Sequence, residues 1–249
     1  MSGDGVTFVG HATTLIEVDG TRLLTDPVLM ARIGHIRRIA PAPSRHLRVD
    51  AILISHAHHD HLDLRSLRRL PDDTPVFAPP GSSQIVRRWT RRNVIETGPG
   101  TRARVGAVEV LATPAEHDGR RLPVGPKMPA VGYVVEGTSR VAFFGDTDVF
   151  EGMAALAGDL DLALLPIWGW GPRVGPGHMD PERAAQAAAL LRPRIVVPIH
   201  WGTLAGPRVS WRADPAEPAR RFEKNVAAHA PDVTVRILAP GERLALPGA

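Results

Sequence analysis

Apolar and polar positions alternate from the first residues onward. Residues 6–9, 14–18 and 22–25 each read as a short strand, and Asp19-Gly20 between the last two is a hairpin signal. A loop rich in Pro and Arg follows over about 33–48. Residues 51–55 are apolar almost throughout, the pattern of a buried strand. Residues 63–70 predict a short helix ended by Pro71, 75–78 a strand, 82–91 a helix, and 102–113 one or two strands. The second half repeats this grammar. Residues 131–136 and 140–144 alternate like a hairpin around Gly137-Thr138. A helix is predicted over 149–157 and a buried strand over 162–166. Residues 180–191 predict a helix: Asp180 suits its cap, Pro181 its first position, and alanines fill it. Residues 195–199 read as another buried strand, 215–230 as a helix and 233–238 as a last strand. Two runs of strands interspersed with helices predict an α/β sandwich built from two similar halves.

Composition narrows what such a chain does. It has 249 residues, 43% hydrophobic and 22% charged, the balance of an ordinary soluble globular protein. That length fits a single domain over 1–249. No run of 18 apolar residues is present, so no transmembrane segment is expected. The opening MSGDGVTFVGH has neither a basic n-region nor an apolar h-region, so no secretory signal is expected and the cytoplasm is the expected location. Cysteine is absent, which excludes disulfides and thiolate ligands. Any metal must therefore be held by nitrogen and oxygen. The formal charge is +4 and the pI about 10.5. Apart from Lys127 and Lys224, all 30 basic residues are arginine. The densest cluster, RRWTRR over 87–92, reads as a solvated helix face, and nucleic acid is not the expected partner.

The chemistry concentrates in HAHHDH, residues 56–61, which spends four of the 11 histidines in six positions. It begins where a buried strand ends, and loops at strand ends are where α/β folds place their reactive groups. Residues two apart in an extended segment point the same way, so His56 and His58 can face one ion. The chain then turns toward the helix near Asp63, which lets Asp60 and His61 face a second. Imidazole and carboxylate suit zinc, iron or manganese. Paired ions are a recurring hydrolytic arrangement, because two cations bring a shared water toward neutral pKa and make its hydroxide the nucleophile. Asp60 would then both bind a metal and orient the nucleophile's proton. No GxxxxGK[ST] loop is present, so there is no case for an NTPase, and Gly98-Pro99-Gly100 is a turn.

HAHHDH resembles the HxHxDH signature of the metallo-β-lactamase superfamily. Later landmarks follow in family order: Pro114-Ala115-Glu116-His117, then Phe143-Phe144-Gly145-Asp146-Thr147, then Pro198-Ile199-His200-Trp201-Gly202. The resemblance implies a four-layer αββα sandwich and a division of ligands. His56, His58 and His117 would bind the first of two divalent ions, most simply zinc, with manganese or iron as alternatives. Asp60, His61 and His200 would bind the second, and Asp146 would bridge. His59 fills a variable position and reads as solvent-facing. A narrower resemblance rests on Gly10-His11-Ala12-Thr13-Thr14, Thr25-Asp26-Pro27 and Gly177-His178-Met179-Asp180-Pro181-Glu182. These look like elements of the subgroup containing N-acyl phosphatidylethanolamine phospholipase D and ascorbate-6-phosphate lactonase-like proteins. It implies a phosphodiester or lactone-like ester as substrate.

Around this set, His178 precedes a helix N-terminus, which favours anions, and is the candidate to hydrogen-bond a substrate oxygen or developing charge. His11, Trp168 and Trp170 are candidate substrate contacts; for His11 support of a ligand is an equal alternative, and for the tryptophans so is packing. Asp26 reads as closing a turn near the metals. His35, His46 and His229 read as ordinary surface or loop residues. Asp118 stands where phospholipase-like members tend to carry an aromatic, which alters the pocket rim. The expected partner is a small-molecule or lipid-like substrate; no amphipathic membrane anchor is visible, and a homo-oligomer is compatible with the pattern. The alternative reading is a metal-dependent nuclease, since the superfamily includes ribonuclease Z and 87–92 interleaves Trp89 with arginines.

Overall fold

A computed structural model of the chain describes residues 3–41, 47–122, 127–171, 173–207 and 214–246. His46 and Pro172 lie outside them. The first alternation forms a meander of β1 (Gly5–Gly10), β2 (Thr13–Val18) and β3 (Thr21–Thr25). Asp19 and Gly20 make the turn, both at positive φ. A hairpin of β4 (Arg32–Ile33) and β5 (Ile36–Arg38) then rises inside the stretch expected to be irregular. Strands of two and three residues are too short to show a period; Gly34 at φ 53° supplies their turn. Next come β6 (Ala51–Leu53), α1 (Leu64–Leu67), β7 (Val76–Ala78), α2 (Ser82–Arg87) and β8 (Val94–Glu96). Both helices are shorter than the apolar spacing predicts. Asp63 caps α1 through its side chain, accepting from Arg65 N, so the motif loop ends where the helix begins.

The second half opens with β9 (Arg102–Val105), β10 (Val108–Pro114), β11 (Val131–Glu136) and β12 (Arg140–Phe143). Residues 149–157 form only a 3₁₀ turn over Glu151–Leu156, with no side-chain cap and Gly152 inside it. Then follow β13 (Leu162–Pro166), α3 (Pro181–Leu191), β14 (Ile195–Ile199), β15 (Leu204–Ala205), α4 (Glu217–His229), β16 (Thr234–Val235) and β17 (Arg243–Ala245). The strand expected over 233–238 is thus reduced to two residues, and the last strand is β17.

Two seven-stranded sheets result, in the orders β17-β1-β2-β3-β6-β7-β8 and β16-β14-β13-β12-β11-β10-β9. The halves are alike in detail. From β17 to β8, three antiparallel pairings precede three parallel ones. From β9 to β16 the same sequence of pairings recurs. By position β1 corresponds to β10 and β3 to β12. His11 and His117 therefore follow equivalent strands, as do Asp26 and Asp146. A small third sheet, β15-β5-β4, stands apart.

Alternation sorts the first sheet's side chains into two layers. Ile16, Leu23, Leu53 and Phe77 share a core with the second sheet and with α3 and α4. Leu15, Leu24, Ile52 and Val76 pack on the other face under α1 and α2, with Leu64, Leu67 and Val86. Helix, sheet, sheet, helix is the four-layer order that the resemblance implies. Burying each large side chain such as Phe8, Phe143 or Phe222 contributes about 1.5–3 kcal/mol. No helix among the described residues is long and apolar enough to cross a membrane.

Candidate metal centre

The strand ends of both sheets meet at one edge, and the histidines and aspartates gather there. Three of them carry unusual backbone: His11 at φ 58°, Asp26 at φ 31° and His200 at φ 64°. Left-handed non-glycine residues cluster at functional sites because the surroundings must hold them there. His200 N donates to His11 O at 2.8 Å, so two of these turns brace each other.

One cluster comprises His56, His58, His117 and Asp146; a second comprises His11, Asp60, His61 and His200. In the first, His58 Nδ1 lies 2.9 Å from His56 Nε2 and 3.2 Å from His117 Nε2. In the second, the Nε2 atoms of His61 and His200 are 3.1 Å apart, each 3.8 Å from Asp60 Oδ2. Asp146 lies between the clusters. Its Oδ2 is 3.7 Å from His56 Nε2 and 3.2 Å from His61 Nε2, and its Oδ1 is 3.2 Å from His200 Nε2.

Outer ring nitrogens are held by oxygen. His56 Nδ1 meets Ser55 Oγ at 2.9 Å, His61 Nδ1 meets Asp26 Oδ2 at 2.7 Å, His117 Nδ1 meets Gly177 O at 2.8 Å, and His200 Nδ1 meets Trp168 O at 2.7 Å. Such anchoring fixes each ring and turns the other nitrogen's lone pair inward. Imidazole nitrogens about 3 Å apart, beside a buried Asp146 Oδ1 without a hydrogen-bond partner, are a donor set that a cation satisfies.

Electrostatics point the same way. Burial, reinforced by neighbouring histidines, pushes His56 well below the usual imidazole range and His58 down to about 4. Burial brings His200 to about 3 and lowers His117. These rings are neutral at pH 7, as ligands must be. His61 differs: burial opposes its charge, but Asp146, Asp26 and Asp60 outweigh burial and raise it. Burial also works against ionised Asp60 and Asp146, and the surrounding histidines overcome it, so both are depressed.

Not every expected residue plays the part the sequence suggested. His11 is buried, its ring centroid lies 3.9 Å from that of His200 at a tilt of 37°, and its Nε2 meets Asp60 Oδ2 at 3.1 Å. The contact it makes is to a carboxylate. Trp168 is half-buried against the core and serves through its backbone carbonyl. Trp170 donates its indole N–H to Asp60 Oδ2 at 2.9 Å. His178 remains partly exposed, with Nε2 3.1 Å from Asp146 Oδ2. His59 is exposed, as are His35 and His229, the latter paired with Glu182 at 2.6 Å. The turn-closing reading of Asp26 understates it. Besides His61 it accepts from Ser55 N at 2.7 Å and Ser55 Oγ at 2.5 Å, tying β3 to the start of HAHHDH. Arg121 was passed over; its guanidinium donates to Ala57 O at 2.9 Å and Leu62 O at 2.6 Å, clamping the ligand loop from behind. Only their placement directly beside the motif or after a strand could have marked these residues in the sequence.

A family model described as the beta-lactamase superfamily domain matches residues 21–201. A metal-dependent hydrolase of Thermococcus onnurineus is 36% identical over 97% of this chain and 99% of its own length. N-acyl-phosphatidylethanolamine-hydrolyzing phospholipase D 1 of Caenorhabditis elegans is 30% identical over 81% of this chain and 65% of its own. Among solved structures, Igni18, a metallo hydrolase of the hyperthermophilic archaeon Ignicoccus hospitalis, aligns with 26% identity and a TM-score of 0.71, covering 97% of each chain.

Proposed function

Because the chain belongs to the metallo-β-lactamase superfamily and is a metal-dependent hydrolase, we propose that it uses two divalent ions to hydrolyse a phosphodiester or a lactone-like ester. The observation that carries this reading is the Asp146 carboxylate, set between two histidine clusters with an oxygen near each. His56, His58 and His117 would hold the first ion, Asp60, His61 and His200 the second, with Asp146 shared. Imidazole and carboxylate without thiolate suit zinc, and also manganese or iron. Such a pair of ions, when bound, supplies Lewis acidity and a water acidified toward neutrality.

The chain's own residues do the rest. Asp60 stays ionised and orients a proton of the attacking water. His178 stands at the mouth, ahead of the α3 N-terminus. Burial opposes its protonation, but the hydrogen bond and charge of Asp146 raise it to about 9. Its Nε2 faces Asp146 and its Nδ1 faces Pro176 O at 3.1 Å, so Nε2 would turn to a substrate oxygen or to developing charge once Asp146 is engaged by the ions. A phosphodiester is the first choice, supported by the C. elegans relative, whose name records hydrolysis of a phospholipid. The 87–92 cluster offers the nuclease alternative less than its sequence suggests, because Arg87, Arg88, Trp89 and Arg91 are exposed but Arg92 is not. Arg92 is buried, and its guanidinium donates to Leu67 O at 2.7 Å and Leu70 O at 2.6 Å.

The test is hydrolysis of bis-p-nitrophenyl phosphate by protein loaded separately with zinc and with manganese. Turnover is expected from the wild type and not from His200→Ala. A mutant that keeps full turnover sinks the ligand assignment. No turnover from protein that holds two ions redirects the substrate to lactones and other carboxylic esters.

A further inference from the structure

We propose that Trp170 is a positioning residue for the second metal centre, its indole N–H fixing the carboxylate of Asp60 toward the ion held with His61 and His200. This inference rests on the two-ion reading above. Asp60 Oδ2 is the oxygen that faces the centre, 3.8 Å from Nε2 of both His61 and His200. The same atom receives two N–H groups from outside the ligand set, Trp170 Nε1 at 2.9 Å and His11 Nε2 at 3.1 Å. They approach from different parts of the chain, and together they fix the direction in which the carboxylate points.

The indole is built to stay there. Its ring packs against the small core of Val28, Ile33, Ile36 and Leu204. His35 meets its ring edge-on at 5.8 Å between centroids. Trp170 O accepts from Gly206 N at 2.6 Å. At Gly206 a Cβ would lie 3.0 Å from the indole ring and 3.1 Å from Trp170 O, so any side chain there would press the indole back by a few tenths of an ångström. The hairpin β4–β5 and β15, absent from the sequence-based expectation, therefore form the socket for this one side chain. A ring packed this way and bonded to a ligand serves the metal centre rather than a passing substrate.

Trp170→Phe keeps the ring and removes the N–H. Trp89→Phe is the matched control, because Trp89 is exposed and touches none of the ligands. Zinc binding to each protein is measured by chelator competition, alongside circular dichroism before loading. The expected result is a second-ion Kd weakened roughly 10- to 100-fold in Trp170→Phe, a first-ion Kd unchanged, and both values unchanged in Trp89→Phe. A second-ion Kd within twofold of wild type in folded Trp170→Phe overturns the inference. A wild type that binds only one ion overturns the two-ion reading itself, a separate and recognisable failure. If Trp170→Phe does not fold, the wild type decides: in protein with ¹⁵N-labelled indoles, the Trp170 N–H exchanges slowly with solvent when two ions are bound. Exchange at the rate of a free indole overturns the proposal.

Discussion

At the scale of the residue, the site is a contest between protons and metal for the same nitrogens. The two centres do not enter it equally. His56, His58 and His117 are all lowered, His58 to about 4, so acid reaches them late. In the second centre burial brings His200 to about 3, but His61 is raised by Asp146, Asp26 and Asp60 despite its burial. A ligand with a raised pKa keeps its proton to a higher pH, and the ion must displace that proton to bind. As pH falls from neutrality, the second ion is therefore expected to leave before the first. Metal content measured across dialysis between pH 7.5 and 5 checks this; simultaneous release of both ions would count against it. Most of the histidines concerned were legible in the sequence, because spacing within HAHHDH and separate strand-end histidines are visible without coordinates. The partners that orient them were not. A backbone carbonyl such as Trp168 O or Gly177 O carries no residue-type signal, and the roles of Asp26 and Arg121 depend on where β3 and the 118–121 segment happen to pass.

At the scale of the element, strands buried on both faces and well-capped helices announce themselves, while short edge pieces do not. α3 follows its prediction closely since Asp180, Pro181 and the alanines each favour it locally, and Asp180 Oδ1 indeed accepts from Arg183 N at 2.9 Å. β4, β5, β15 and β17 escaped because two or three residues cannot display a period; β4 and β5 pair locally, while the partners of β15 and β17 lie far along the chain. The joint between β12 and β6 is the tightest point near the site. At Gly145, immediately before Asp146, a Cβ would lie 2.1 Å from Ser55 Oγ. Ser55 cannot withdraw without breaking its bonds to Asp26 and His56. Gly145→Ala is therefore expected to destabilise the fold by about 1–3 kcal/mol, the usual penalty of overpacking, and to reduce metal retention. Chemical denaturation and metal analysis measure the two effects; a variant of wild-type stability with two tightly held ions would show that the β6 end can move aside.

At the scale of the whole molecule, each cluster draws on both sheets. His56 and His58 follow β6 of the first sheet, whereas His117 and Asp146 follow β10 and β12 of the second. His11, Asp60 and His61 belong to the first half and His200 follows β14 of the second. Bound ions would therefore fasten the halves together at this edge. The opposite end has its own clasp, where Asp19 in the β2–β3 turn accepts from Thr138 N at 2.8 Å. Chelation is expected to lower thermal stability and expose the strand-end loops to protease. An ion present at 100 times its Kd contributes about 2.7 kcal/mol, and that amount is lost on its removal. Calorimetry with and without chelator checks the figure, and an unchanged transition temperature would mean the ions do not join the halves.

The segment from Trp168 to His178 touches His200, Asp60, His117 and Asp146 in turn. A protein engineer looking for new specificity would turn first to a glycine-rich loop at an active-site mouth. Here that loop is a poor place to randomise, because most changes would disturb the metals along with the substrate. The tip of the β4–β5 hairpin bonds no ligand, yet it is not free either: Gly34 makes the turn at φ 53° and His35 meets the Trp170 ring edge-on. Library diversity placed there would reach the metals only through Trp170, one step further removed than changes in the loop itself.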